Sequence, residues 1–104
     1  MARPKRYLTD DEIEKVERLA ALGCTQEEIA YVIGIAPETL RSRFEDQPAV
    51  LNAYKKGQAN LKTRIRALQI KAAENGNATM LIWLGKQLLG QTDKQIVETV
   101  ETVK

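Results

Sequence analysis

The 104-residue chain contains no histidine and a single cysteine, Cys24. The first absence removes Ser/His/Asp and Cys/His catalysis together with the usual zinc sites, and the second removes internal disulfides and cysteine metal clusters. Prolines number three, which argues against a proline-rich linker. The apolar runs, such as Met80 to Leu84, are far too short to cross a bilayer. The opening residues Met1 to Arg6 lead into polar sequence without the apolar stretch of a secretory leader. With 43% hydrophobic and 29% charged residues, a folded chain is expected rather than a disordered one.

The net charge of +2 hides an uneven distribution. Residues 1–46 carry seven Lys/Arg against ten Asp/Glu, residues 47–90 seven against Glu74 alone, and residues 91–104 two against three. A basic middle between acidic ends implies two functions on one chain, or segments that meet across subunits.

The start signals for helices are explicit. Thr9 with Glu12 reads as a capping box, and Leu8 with Ile13 as its hydrophobic staple. Ile13, Val16, Leu19, Ala20 and Leu22 follow at helical spacing, and Gly23 suits the residue beyond the helix end. Thr25 with Glu28 repeats the box, with Cys24 and Ile29 as the staple. The second helix spans about Gln26 to Ile33 and stops at Gly34. Pro37 suits the first position of a third helix running to about Glu45, with Leu40 and Phe44 inward. From Ala49 to Glu74 one long amphipathic helix is expected, with Tyr54, Leu61, Ile65, Leu68 and Ala72 along its apolar stripe. Asn75-Gly76 breaks it, Asn77 caps a fifth helix over Ala78 to Leu89, and Gly90 ends it. The tail is rich in β-branched residues, which favours a strand, while Val97, Val100 and Val103 recur every three residues, as a helix would have them. The expected fold is mainly α: a helix-turn-helix unit over 1–46, a helical hairpin over 47–90 and a tail over 91–104.

The chemistry is carried by Gln26 to Leu40. A helix-turn-helix needs a small residue where its helices touch, here Ala30, and a residue tolerating positive φ in its turn, here Gly34. Ile29, Ile33, Ile35 and Leu40 pin the pair to the first helix. Glu38, Arg41, Ser42 and Glu45 form the outward face of the third helix, which in such a unit enters the major groove of DNA. Arg41 suits a bidentate contact to guanine, and Ser42 a base or phosphate. Gln26 and the N–H groups beside Thr25 suit a phosphate. The candidate DNA contacts are therefore Thr25, Gln26, Pro37, Glu38, Arg41, Ser42 and Arg43, with Arg3, Lys5 and Arg6 as a basic arm suited to a minor groove. Arg43 occupies a position where an apolar residue usually closes the core, with Phe44 as the substitute. Three-helix units also serve as interaction modules, and the acidic body of this one opposes phosphate binding. Lys55, Lys62 and Arg66 form a second stripe, read as a solvated face, a second DNA contact or an inter-subunit contact. Tyr54, Leu61, Ile65, Leu68, Trp83, Leu84 and Leu88 offer more apolar surface than one hairpin can bury, which points to self-association beyond a dimer.

The pattern Leu8-Thr9-Asp10-Asp11-Glu12-Ile13, Leu22 to Ala30 and Thr39-Leu40, followed by a long basic helix, then Glu74-Asn75-Gly76-Asn77-Ala78-Thr79 and Ile82-Trp83-Leu84-Gly85, resembles the small terminase subunit family of tailed bacteriophages. The likeness covers about residues 8–95. It implies a non-enzymatic viral genome-packaging protein without cofactor or metal, at work in the cytoplasm of the infected bacterial host. Such proteins form rings through the hairpin, bind the packaging site on double-stranded phage DNA and hand it to the large terminase subunit, the ATPase and nuclease. The tail would form a crown or dock the large subunit. Two departures are the acidic third helix and the short tail. The rival class is a small dimeric helix-turn-helix repressor of phage or bacterial origin, which would set two recognition helices one turn of DNA apart. An enzyme is the poorest class, since no Gly-rich phosphate loop is present.

Overall fold

The first two helix starts are each written in a side chain that reaches its own backbone. In the computed structural model, which describes residues 6–91, Thr9 Oγ1 accepts from the Glu12 N–H at 3.2 Å while Glu12 Oε1 accepts from the Thr9 N–H at 3.0 Å. Thr25 and Glu28 make the same reciprocal pair at 3.2 and 2.9 Å. These boxes open α1 (Asp10–Ala21) and α2 (Gln26–Ile33). Helix α1 closes with the Cys24 N–H on the Leu19 carbonyl and the Gly23 N–H on that of Ala20, a Schellman end. Helix α3 (Pro37–Asp46) has no side-chain cap at Ala36 and starts instead on Pro37, whose fixed φ is already helical. Helix α4 runs Pro48–Glu74, the chain turns at Asn75-Gly76, and Asn77 caps α5 (Ala78–Leu89) by accepting from the Met80 N–H at 2.9 Å. The fold is mainly α, as expected, and no strand occurs among the described residues. The expected tail falls on residues 92–104, outside the described residues, apart from Gln91.

The chain divides into two compact units between Thr63 and Arg64, inside α4. The reason lies in the first unit's core. Ile29, Leu40, Val16 and Val50 are fully enclosed, joined by Leu8, Ala20, Ala30, Ile35 and Ala53. Val50 and Ala53 belong to α4, so the start of the long helix closes the helix-turn-helix as a fourth helix. Phe44 and Tyr54 meet with ring centroids 5.4 Å apart. Leu22, expected on the inner stripe of α1, is at its C-cap and exposed.

Gly57 explains how α4 comes so close to α1. A Cβ built there would overlap the Glu17 carbonyl oxygen and stand 2.6 Å from the Ala20 Cβ. A glycine inside a helix costs about 1 kcal/mol relative to alanine; here it lets the two backbones touch. Beside it, Lys56 Nζ lies 3.6 Å from Glu17 Oε1, an exposed pair of small worth.

The second unit, residues 64–104, is described over the end of α4 and α5. Its buried residues are small, Ala73 and Gly85. Most of its large apolar side chains face outward: Ile65, Leu68, Ile70, Leu81, Trp83, Leu88 and Leu89 are exposed, while Met80, Ile82 and Leu84 are half-buried.

Candidate nucleic-acid interface

The turn between α2 and α3 is set by one residue. Gly34 has φ +91°, a conformation that L side chains rarely adopt. The N–H groups of Gly34 and Ile35 both reach the Ala30 carbonyl at 2.9 Å, so the chain leaves α2 abruptly. Ala30, with no exposed surface, allows the helices to meet, and Leu40 is equally enclosed. With Leu40 facing inward, Glu38, Arg41, Ser42 and Glu45 of α3 face solvent.

Arg41, Gln26 and Thr25 come together. They line one open groove of about 630 Å³ with Gly23, Cys24, Glu27, Tyr54 and Gln58. Arg41 Nη2 lies 3.5 Å from Glu38 Oε1, and both side chains are exposed, so the pair is loose and the guanidinium can be redirected to a ligand at small cost. The groove has a mixed charge, with Arg41 against Glu27. Its polar walls are Thr25, Gln26 and Gln58, whose Nε2 donates to the Tyr54 hydroxyl at 2.9 Å. Thr25 Oγ1 is engaged as the acceptor of the capping box. Burial of each group is slight, so a polyanion here would be met by oriented N–H donors and one mobile cation rather than by a pre-built charged pocket.

Arg43, expected to contact DNA, is 4% exposed and points into the unit. Its Nη2 donates to Asp46 Oδ2 at 2.9 Å and its Nη1 to the Arg6 carbonyl at 3.3 Å. The Tyr7 ring centroid lies 5.1 Å from its Cζ. The buried Nε finds no hydrogen-bond partner among the described residues. Arg43 does close the core, as an apolar residue would, but through its planar head and paired charge. It is withdrawn from the interface because the rotation per residue of α3 puts it on the side of Leu40 and not that of Arg41. Pro37 is half-buried at the helix start.

Of the basic arm, Arg3 and Lys5 lie outside the described residues. Arg6 is exposed and its Nη2 reaches Glu12 Oε2 at 2.7 Å. The Glu12 carboxyl is held below its ordinary value of 4.5 first by the backbone hydrogen bond at Thr9 and then by Arg6. The Glu28 carboxyl is lowered likewise, by its bonds to Thr25. Lys55 and Lys62 are exposed in the first unit and Arg66 in the second.

Among residues expected at subunit contacts, Tyr54 and Leu61 are half-buried within the first unit, Tyr54 against Phe44 and Leu61 beside Gly23. Leu84 is half-buried in the second unit, while Ile65, Leu68, Trp83 and Leu88 are exposed there. Sequence reasoning offered Gln58 only as a polar contact of the long helix and missed the parts played by Gln47 and Gly57. Gln58 follows Tyr54 by four residues, which places both on one helix face. Gly57 stands alone inside a long helical pattern, a sign of close packing. Gln47 precedes Pro48, which marks a non-helical residue but says nothing of its side chain.

No helix among the described residues is long and apolar enough to cross a membrane, and no group of side chains there is placed to hold a metal ion. Comparison with family models, curated proteins and solved structures finds no match for the chain.

Proposed function

We propose that this chain is a non-enzymatic DNA-packaging subunit of the small terminase kind. Its first unit binds double-stranded DNA, with α3 in the major groove and Arg41, Ser42, Gln26 and Thr25 as contacts. Its second unit joins copies of the chain into an oligomer larger than a dimer, which presents many such units to one DNA. Weak contacts at a mixed-charge surface then add through effective concentration. The assembly would recognise the packaging site of phage DNA in the infected host cell and deliver it to the large subunit, engaged through the tail. The observation that carries this reading is the pairing of a self-contained helix-turn-helix with a second unit whose large apolar residues lie in solvent. A repressor needs the first and only a modest dimer contact; an assembling protein needs both.

The test is the mass in solution by light scattering, with and without duplex DNA. A defined particle of more than two chains that binds DNA supports the proposal. A particle of two chains that binds DNA favours a repressor, and a monomer at tens of micromolar overturns the assembly.

A further inference from the structure

The first unit holds more acidic than basic residues, yet many of its acids are already engaged. Glu12 and Glu28 close the two capping boxes. Asp46 accepts from Arg43, and Glu17 lies 3.6 Å from Lys56. On α1, Asp11 and Glu14 stand four residues before Lys15 and Arg18, the spacing at which opposite charges on a helix meet. Lys55 and Lys62 differ from the other cations. Both are exposed, and neither has an ion pair with a described residue. No Asp or Glu occurs between Pro48 and Ala73, so no neighbouring turn of α4 supplies a counter-charge.

Their place on the helix is set by what packs on either flank. Lys56 reaches Glu17 beside the contact of Gly57 with α1. Two residues after Lys56, about 200° further around α4, Gln58 lines the groove with Tyr54, Arg41, Gln26 and Thr25. Its Nε2 donates to the Tyr54 hydroxyl at 2.9 Å, which holds the amide against that wall. Leu61 stands 3.4 Å from where a Cβ on Gly23 would be, so this stretch of α4 is seated on the loop between α1 and α2. Lys55 precedes Gln58 by three residues and Lys62 follows it by four. Both therefore lie on the Gln58 side of α4, one turn away in each direction. Glu27 is the one acid among the residues that line the groove; against it stand Arg41 within and a lysine at each end of the α4 wall.

We infer that Lys55 and Lys62 bind backbone phosphates of double-stranded DNA, as a rim that continues the groove from α3 onto α4, with Gln58 as a neutral donor between them. The inference rests on the DNA-binding reading of the first unit. Lysine is a point charge on a flexible stem, suited to a phosphate and indifferent to the base it carries. The two lysines are about 10 Å apart along α4, too far to share one phosphate, so each neutralises its own. An acidic unit then meets a polyanion through the one wall of its groove that has no acid. Arg41 and Ser42 are left to read bases, while the lysines fix how the unit sits on the duplex.

The test uses the full chain, Lys55→Gln, Lys62→Gln, the two combined, Arg41→Ala, and a control with Lys15→Gln and Arg18→Gln, which removes the same charge from α1. Each is titrated with two labelled duplexes of unrelated sequence over a range of salt concentrations, and its mass is taken by light scattering. The substituted lysines are exposed, so the urea midpoint should stay at the wild-type value. Each single substitution should weaken binding to both duplexes alike and reduce the salt slope by about 0.9 for each engaged unit, and the pair by about twice that. The α1 control should keep the wild-type slope, and Arg41→Ala should weaken the two duplexes unequally. An unchanged slope in the Lys55/Lys62 pair would overturn the inference, and if Arg41→Ala still weakens binding, the α3 reading survives. An equal loss of slope in the α1 control would reduce the effect to net charge and overturn it. So would a fall in mass of the Lys55/Lys62 pair, which would assign these lysines to a contact between copies, or a loss confined to one duplex, which would make them base readers. Absence of DNA binding by the full chain would overturn both readings.

Discussion

The two ends of α4 have opposite surroundings. Val50, Ala53 and Gly57 at its start are buried, whereas Ile65, Leu68 and Ile70 further on are exposed. The helix is continuous through this change, and both stretches alternate apolar with polar residues. Burial is decided by what each stretch has to pack against. The first meets α1 and joins a core around Ile29 and Leu40, so the first unit is complete in itself. The second unit covers little more than Ala73 and Gly85 and leaves its largest side chains in water. Exposed apolar residues in such number mark an association surface. One unit is stabilised from within; in the proposed assembly the other would be stabilised by copies of the chain.

The comparison is broken most directly by truncating one large side chain on each side. Ile29→Ala in the first unit should lower stability by about 2–5 kcal/mol, because the enclosed site cannot collapse. Leu88→Ala in the second should leave the unfolding free energy of a dilute sample, from urea titration, within about 0.5 kcal/mol of wild type, while reducing the mass of the assembly. A large loss of stability from Leu88→Ala at low concentration would show that the second unit has a core of its own.

A charge contrast inside the first unit sharpens the picture. Arg43→Ala removes the bonds to Asp46 and to the Arg6 carbonyl and opens space beneath Tyr7, and should cost about 2 kcal/mol or more of stability in a denaturant titration. Arg41→Ala should not change stability measurably, yet should weaken DNA binding by about 1–3 kcal/mol if the side chain reads a base. The two residues stand on one helix, two positions apart, so the experiment separates a fold function from a binding function at nearly constant location.

Gly57→Ala probes the close approach of α4 to α1. Alanine would favour the helix by about 1 kcal/mol, but its methyl would meet the backbone oxygen of Glu17 and force the helices apart. A net loss of about 1–3 kcal/mol in thermal or urea unfolding is expected. Gly85, in the second unit, is the natural counterpart: Gly85→Ala should alter assembly before it alters the first unit's unfolding.

The smallest effect concerns acid. Glu12 and Glu28 have folded-state values below the ordinary 4.5, so each contributes stability at pH above that value. As pH falls below about 4.5 toward the lowered folded values, that contribution is lost. Circular dichroism should show a modest acid softening of the first unit over this range. Glu12→Gln should flatten part of it, keeping an acceptor for the Thr9 N–H while losing the charge toward Arg6. Softening of equal size in Glu12→Gln would assign the effect to other carboxylates.

The elements were legible because their signals are local. Thr9 with Glu12, Thr25 with Glu28, Gly34 and Pro37 each act on backbone groups within a few residues of themselves, and the helix limits follow with little error. The outward position of Arg41 on α3 was readable for the same reason, since helical periodicity fixes which side chains share a face, whereas its meeting with Gln26 and Thr25 in one groove came only from the structure. Arg43 was misplaced because its role depends on Arg6, Tyr7 and Asp46, and the first two lie more than thirty residues away in sequence. The division of α4 at Thr63 was hidden likewise: nothing in a continuous amphipathic pattern tells which part of the stripe meets α1.

The sequence by itself determined five helices, their caps and turns, the outward face of α3 and an excess of apolar surface, because periodicity and short-range hydrogen bonding depend on neighbours along the chain. Only the tertiary structure decided that the start of α4 completes the first unit, that Gly57 lets two backbones touch, that Arg43 and Gln47 hold residues 6–8, and which apolar residues remain in water. Each of these depends on distance through space between residues remote in sequence, where burial and geometry, and not residue type, set whether a side chain serves the core or the surface.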